Sequence, residues 1–213
     1  MSKFGDLLKT KTFHELCRNG EESRAIQYYI QNTDKIDINH LDHFTEKTAI
    51  MHSIDDRNHE LTAILLHDRR LAPNLQNCFG ISALSIAAVI NDVDTLFFLI
   101  FHGADFNITT ADGLNIVHLS ILNGHVNIIE LMKEYKIPIN WNAQDKYGNS
   151  PYMLSLGSPD KTFSKILASI PEVDVNLPNY AGKAPADYLQ QFEDDKESLV
   201  KTKTFYELCK SGE

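Results

Sequence analysis

Nine histidines are the side chains of this sequence best suited to metal binding or acid–base chemistry. His40 and His43 are three residues apart, and His52, His59 and His67 recur at a spacing compatible with helix. A zinc site combines histidines with cysteines or carboxylates at characteristic spacings. None of these sets matches such an arrangement. We therefore predict no metal site and assign the histidines surface or capping roles.

The cysteines give no sign of catalysis or of a disulfide framework. Cys17, Cys78 and Cys209 form no CxxC pair, and three cysteines in 213 residues favour a reducing compartment. Cys78 has no recognisable base beside it, and the sequence contains no GxSxG, HExxH or phosphate-loop motif. The chain is therefore predicted not to be an enzyme and to need no cofactor.

Charge and hydropathy argue against nucleic-acid binding, membrane insertion and secretion. A formal net charge of −9 repels phosphate backbones, and the few basic pairs, such as Arg69-Arg70, are small and scattered. The longest apolar runs, 86–90 and 96–101, fall far short of the roughly 20 residues that span a membrane. No secretory signal is visible at the N-terminus. We expect no nucleic-acid binding, no membrane insertion and a cytoplasmic location.

The elements that carry these side chains come from an internal repeat of about 33 residues. Glycines at 80, 113, 148 and 182 are 33, 35 and 34 residues apart, and each precedes a similar helical pattern. A degenerate copy begins near Thr48, and a first copy begins at Thr12 without a turn before it. Six units in register predict stacked helix pairs that bury their apolar faces against one another.

Helix signals recur at the same place in each unit. The residue before the first helix is of an N-cap type in five copies: Thr12, Thr48, Ser82, Asn115 and Ser150. Glu15 would complete a capping box with Thr12, and prolines 151 and 185 suit a first helical position. Leu84, Ala87 and Ala88 are expected to face the neighbouring unit, and the second helix to bury Leu96, Phe98 and Leu99. Gly103 suits a left-handed helix end.

These motifs resemble the ankyrin repeat, a β-turn followed by two helices. The family signature is similar to the segments beginning Ser82-Ala83-Leu84, Asn115-Ile116-Val117-His118 and Ser150-Pro151 and to the ending Gly103-Ala104-Asp105-Phe106-Asn107. The resemblance covers roughly residues 12–192 and implies an all-α ankyrin-repeat solenoid with short β-turn or hairpin connections. It also implies structural roles for His118 and His125. Departures are Arg57 in place of a helix-ending glycine and Gly157-Ser158-Pro159, which should shorten or distort its helix.

A second kind of repetition joins the two ends of the chain. Residues 199–213 repeat residues 7–21 with 11 of 15 positions identical, and they come too early for another repeat in register. We therefore divide the chain into a leader (1–11), an array of about six units (12–198) and a duplicated capping helix (199–213). That helix either closes the stack or opens a second array in a longer protein.

The resemblance also implies where a partner would bind. Ankyrin-like stacks use a concave side built from turn tips and first-helix ends, which correspond here to Phe44, Lys47, Cys78, Phe79, Ile81, Ile90, Ala111, Asp112, Leu114, Leu122, Lys146, Tyr147, Asn149, Tyr180 and Lys183. Several are apolar where a solvated turn would be polar, which favours an interaction surface. The alternative is that Phe79 or Ile81 folds back onto a neighbouring turn.

Two single residues carry hypotheses of their own. Trp141 lies in a two-residue extension with Asn142 and is either a plug over the stack or a further partner contact. Asn107 resembles the sites at which asparaginyl hydroxylase modifies ankyrin repeats, although the same asparagine ties the hairpin in the family.

The sequence therefore predicts an adaptor or scaffold that binds another protein. Its acidic charge favours partners with basic or mixed surfaces. One alternative is a substrate-recruiting arm of a larger enzyme or secreted effector whose catalytic domain lies outside this chain. Self-association through the end repeats is a third possibility.

Overall fold

A computed structural model describes residues 3–158 and 160–187, and its regular elements there are helices. They are α1 (Lys3–Arg18), α2 (Glu22–Asn32), α3 (Ala49–Asp55), α4 (His59–Leu66), α5 (Ala83–Val89), α6 (Val93–Phe101), α7 (Ile116–Asn123), α8 (Val126–Glu134), α9 (Pro151–Gly157) and α10 (Thr162–Ala168). A short 3-10 turn, Thr33–Lys35, follows α2. One isolated antiparallel β-bridge joins Gln76 and Ser82.

The helices form pairs within two compact units, Met1–Asp105 and Phe106–Glu213. In the first unit α1 packs on α2, α3 on α4 and α5 on α6, and the first helices of successive pairs are also in contact. In the second unit α7 packs on α8 and α9 on α10, while α7 contacts α9 and α8 contacts α10. Successive pairs in each unit therefore stack as the repeat predicts, and the all-α fold class is confirmed.

The first helix starts earlier than the sequence analysis predicts. Residues 3–11 are not a separate leader but the first half of α1, so Thr12 lies within the helix. Its hydroxyl donates to the carbonyl of Leu8 at 3.0 Å, one turn back. The predicted N-cap at Thr12, and with it the capping box to Glu15, is wrong because nothing in residues 3–11 stops the helix.

The other predicted N-caps are confirmed. Thr48, Ser82 and Ser150 each accept a hydrogen bond from the backbone N–H three residues on, and Asn115 accepts from two backbone N–H groups. Pro151 occupies the start of α9, where no N–H is needed. These caps fix where each first helix begins, and therefore where the turn before it ends.

Most first helices end through a left-handed residue. Gly124 ends α7 with φ 79°, and Arg57 and Asn91 take the equivalent place after α3 and α5 with φ 55° and 59°. Arg57 thus holds the glycine-like conformation, and its guanidinium donates to the Ile90 carbonyl at 2.5 Å. Helix α9 is no shorter than α3 or α5, so the predicted shortening is absent. Its end is distorted, which was the other predicted outcome, because its C-cap, Ser158, is extended.

The side chains predicted to be buried in α5 and α6 are in the core, with one exception. Leu84, Ala87 and Ala88 of α5 are buried, and so are Leu96 and Leu99 of α6. Phe98, however, was expected in the core and is 58% exposed. It lies two residues from Leu96, which places it about 200° around the helix from that buried side chain. No helix within the described residues is long and apolar enough to cross a membrane.

Asparagine side chains tie the end of each repeat to the next. The Asn142 amide donates to the Glu172 carbonyl at 2.7 Å, and its oxygen accepts from the Asp174 N–H at 2.7 Å. The same pair of bonds is made by three further residues, at positions 39, 74 and 107. Each tie lies within one unit and holds two loops in a fixed register.

Candidate functional site

Each repeat after the first begins with a turn, and hydrogen bonds to the first side chain of the turn hold the loop closed. We call residues 42–47, 77–81, 110–114, 145–149 and 179–183 the turn tips. The Asp145 carboxylate accepts from the N–H groups of Tyr147 and Asn149, both at 2.8 Å. Asn77 makes the equivalent bonds two and four residues on, and so does Asn179. The tips therefore have a set conformation and do not have to be ordered by a partner.

The first tip is one residue longer than the others. The Asp42 N–H donates to the carbonyl of Lys47, five residues on, whereas the Asn77 N–H donates to the carbonyl of Ile81, four residues on. Glu46 takes the left-handed position, φ 52°, that glycine holds in the later tips. Its carboxylate accepts the Cys78 N–H at 3.1 Å. The Cys78 side chain first, and then this N–H, lower the pKa of Glu46. This contact joins the first two tips.

In the second unit neighbouring tips are joined through the backbone. The Lys146 N–H donates to the Asp112 carbonyl at 2.7 Å, and the Tyr180 N–H donates to the Tyr147 carbonyl at 3.1 Å. A Cβ at Gly148 would lie 2.6 Å from ring carbons of Tyr180, so the absence of a side chain there lets the two tips meet. Three successive tips of this unit are thus held at a fixed spacing.

Besides Ala111, six of the predicted contact residues are exposed on these tips. In the first unit they are Phe44, Cys78 and Phe79, and in the second Lys146, Tyr147 and Tyr180. Phe44 is 83% exposed and Tyr180 is 70% exposed, which are large fractions for aromatic rings. Phe79 is also exposed, so its ring does not fold back onto a neighbouring turn. Each unit therefore presents aromatic side chains on fixed loops.

Three predicted contact residues are buried and do not offer their side chains to a partner. Ile81 and Leu114 each stand directly before an N-cap, the position from which an apolar side chain packs against the first turn of its helix. Trp141 is only 6% exposed, as expected for a plug rather than a surface contact. Burial of its large apolar ring is favourable enough to draw the inserted loop inward.

The remaining predicted residues are half-buried, namely Lys47, Ile90, Asp112, Leu122, Asn149 and Lys183. Some are already engaged within the fold. Lys47 forms an ion pair with Asp55 at 2.8 Å, and the Asn149 side chain donates to Asp145 and accepts from Asn179. Ala111, at the second position of its turn, is exposed.

Cations lie against two of the exposed aromatic rings. The Arg18 guanidinium, which the sequence analysis did not single out, lies 4.6 Å from the centroid of Phe44. Lys146 lies 5.1 Å from the Tyr147 ring and 2.8 Å from the Asp112 carboxylate. The hydrogen bond that Lys146 donates to Asp112 raises the pKa of Lys146, which keeps this amine charged. Such contacts limit the motion of the rings.

The histidines are placed largely by packing. Nε2 of the buried His118 lies 3.2 Å from the Asn149 carbonyl, which is the structural role expected for this residue, and burial lowers its pKa to about 4. His67 and His102 stand 5.9 Å apart, centroid to centroid, beside a groove between α4 and α6. Within residues 3–158 and 160–187 no three His, Cys, Asp or Glu side chains are arranged to hold a metal ion. Cys17 is buried, Cys78 is exposed, and Cys209 lies outside the described residues.

A family model described as ankyrin repeats (3 copies) matches residues 13–110 and residues 84–179. An ankyrin repeat protein of fowlpox virus (strain NVSL) is 26% identical over 125 residues, which are 57% of this chain and 37% of the viral protein. The chain thus matches little more than a third of the length of that relative.

Proposed function

The chain belongs to the ankyrin-repeat family, and we propose that it acts as an adaptor that binds another protein through its turn tips. Ankyrin repeats are in general protein-interaction modules, and both matched segments include tips with exposed aromatic rings. The contact surface in the first unit comprises Phe44, Lys47, Cys78, Phe79 and Ile90. In the second unit it comprises Asp112, Leu122, Lys146, Tyr147, Asn149, Tyr180 and Lys183.

One observation carries this proposal. Aromatic side chains stand exposed on loops that have no freedom to bury them, because backbone and side-chain bonds fix each tip. An aromatic ring held in water loses little entropy on binding and gains burial, which makes such residues strong interface anchors. No requirement of the fold itself explains the exposure of Phe44 or Tyr180.

The charges around the tips indicate which kind of protein surface would bind there. Lys47, Arg18 and Lys146 are each paired with a carboxylate of the same unit, so the tips offer few free cations to an acidic ligand. The whole chain carries a net charge of −9. The partner is therefore a protein with apolar residues at its contact site and a basic or mixed surface around them.

The test removes one aromatic ring from each unit. Phe79→Ala combined with Tyr147→Ala should abolish capture of the partner that the unmodified chain retains, because both exposed anchors are lost. The melting temperature should stay nearly unchanged, since neither ring is buried in the core. Affinity capture followed by mass spectrometry identifies the partner, and calorimetry with that purified partner measures the loss.

A matched control uses exposed aromatic rings away from the tips. Phe101→Ala, at the end of α6, combined with Tyr135→Ala, beyond α8, removes a ring from each unit that is more exposed than the one removed from the tips. This control should bind as the unmodified chain does. Equal loss of binding in both double variants would count against the tips, and unfolding of the tip variant would show that those rings stabilise the fold.

Two further roles stand as alternatives. The chain matches 37% of its viral relative, so it could recruit substrate for a catalytic domain encoded elsewhere in a longer protein. A catalytic motif set in flanking sequence would support that role. Association of the chain with itself through its end repeats predicts a mass above that of a monomer in light scattering at high concentration.

We also propose that the protein is located in the cytoplasm.

A further inference from the structure

A histidine is buried without a hydrogen bond beneath the first turn tip. His14 lies on the inner side of α1 and is only 2% exposed. Neither of its ring nitrogens has a hydrogen-bond partner of ordinary geometry. A buried polar group without a partner is costly, and native proteins contain few of them. Such a group therefore calls for an explanation beyond packing.

The groups that face His14 are mostly other imidazoles. Its ring centroid is 5.2 Å from that of His40, and His40 is in turn 5.5 Å from the exposed His43. Buried His52 of α3 and the carboxylate of Asp42 also act on it electrostatically, as does the backbone at Asp37. We call His14, His40, His43 and His52 the histidine cluster.

The carboxylate nearest the cluster is already committed to other partners. Asp42 accepts two hydrogen bonds from the Arg18 guanidinium, both at 3.1 Å, and one from the Thr45 hydroxyl at 3.0 Å. Burial acts to raise the pKa of Asp42, but these bonds outweigh it and the pKa is lowered. Asp42 is thus poorly placed to neutralise a second cation at His14.

His52 supports the same turn in its neutral form. Because the Thr45 hydroxyl gives its proton to Asp42, it accepts from Nε2 of His52, which lies 3.0 Å away. Burial, with Lys47 next, lowers the pKa of His52 to about 4, while Asp42 and Asp55 act in the other direction and Arg18 adds to the lowering. The tip that carries Phe44 therefore rests on two uncharged imidazoles.

We propose that the histidine cluster is an acid-sensitive switch in which protonation of His14 releases α1 and the 42–47 tip from the α3 face. A charged imidazole at this site would have the backbone at Asp37 as its nearest acceptor, without a hydrogen bond of ordinary geometry, and would face His40 and His52. Release would displace Arg18 and Phe44, which touch one another across this contact. The idea that the switch regulates partner binding rests on the proposed function. The acid-induced release of α1 does not depend on that function.

The sign of the effect follows from the pKa values. Burial, followed by His40, lowers the pKa of His14 from 6.5 to about 4. The released form therefore binds a proton more readily, and stability is lost as the pH falls below about 6.5. From these two values the equilibrium constant for keeping α1 packed falls roughly 30-fold between about pH 7.5 and about pH 5.

The experiment combines two measurements on the full chain. Histidine ring resonances, assigned residue by residue and followed by NMR, should show that the His14 imidazole stays neutral well below pH 6, as those of His52 and His118 also should. Hydrogen exchange, corrected for the intrinsic effect of pH, should show residues 3–18 and 42–47 losing protection on acidification before the rest of the first unit. A His14 midpoint near 6.5 would overturn the proposal.

Two substitutions separate the switch from general acid effects. His14→Phe should strongly reduce the acid-induced exchange of residues 3–18 and 42–47, because only His52 then remains as a buried imidazole under this tip. His14→Tyr should do the same, and it introduces the residue found at the matching position, 206, of the repeated segment. His43→Gln alters an exposed member of the cluster and should leave the acid response intact. Unchanged acid response in a folded His14 variant contradicts the proposal. Should both His14 variants misfold, the NMR midpoint of the unmodified chain decides.

Neither measurement uses a binding partner. If the unmodified chain shows no acid response but binds a partner through its tips, only the switch is overturned. The opposite result, an acid response without any tip-dependent partner, would overturn the proposed function alone.

Discussion

Four asparagines carry a large share of the polar contact between successive repeats. Each donates to one backbone group and accepts from another about 30 residues further along the chain. Both functions of the amide are used, so loss of the side chain leaves two loop groups without that partner. For Asn107 the tie is an observed role, and its hydroxylation stays a hypothesis.

This gives a prediction at the scale of one side chain. Asn142→Ala should lower the free energy of unfolding by about 1–3 kcal/mol, because the Glu172 carbonyl and the Asp174 N–H lose their bonds. Urea denaturation measures the change. Asn176→Ala, an exposed asparagine in the same loop region, should cost less than about 0.5 kcal/mol. Similar costs for both would show that the tie contributes little.

At the scale of the element, the turn glycines have two different reasons for being glycine. Gly103 and Gly148 both have a left-handed backbone, with φ 87° and 83°. A Cβ at Gly103 would meet no atom within 4 Å, whereas one at Gly148 would overlap Tyr180. The first position therefore needs glycine for its conformation alone, and the second also for the approach of the next tip.

The two sites can be compared by the same substitution. Gly103→Ala should cost about 1–2 kcal/mol from the left-handed conformation. Gly148→Ala should cost about 1–3 kcal/mol more, because the tip of Tyr180 has to move. Thermal unfolding of both variants measures the difference. Equal costs would mean that the contact between these tips is dispensable.

The converse change should stabilise the chain. Lys136 has φ 50° and occupies the place that Gly103 holds one repeat earlier. Lys136→Gly should therefore raise the free energy of unfolding by up to about 1 kcal/mol, since glycine removes the left-handed penalty at some cost in chain entropy. A lower melting temperature would mean that the lysine side chain makes a compensating contact.

At the scale of the molecule, no helix pair covers its own apolar face. Leu84 is buried in α5, which packs on both α3 and α6. Leu84→Ala should cost about 2–5 kcal/mol through the cavity that it leaves. The loss of protection should spread over α3–α6, because each pair is stabilised by its neighbour. Hydrogen exchange confined to α5 would contradict that coupling.

The repeated segment 199–213 lies outside the described residues, and its role stays a hypothesis. In α1, its counterpart, Phe13, Leu16 and Cys17 are buried against the fold. The same residue types recur at 205, 208 and 209. We propose that it opens a second array. Domain mapping of the full-length gene product would test this, and a natural stop directly after Glu213 would refute it.

Local signals in the sequence were sufficient to predict the repeat, four of the five N-caps and the left-handed helix end at Gly103. These features depend on backbone groups within a few residues, so a short segment contains all the information. The error at Thr12 arose because a capping residue within a continuous helix carries the same local signal as one at its start.

Burial, by contrast, was decided by residues some 30 positions away. The sequence could not tell that Ile81, Leu114 and Trp141 face inward while Phe98 faces solvent, because identical residue types serve both places. The asparagine ties and the unpartnered His14 likewise exist only when neighbouring repeats are stacked. The chain alone determined which elements form, and the tertiary structure decided which side chains remain for a partner, because exposure depends on what the next repeat covers.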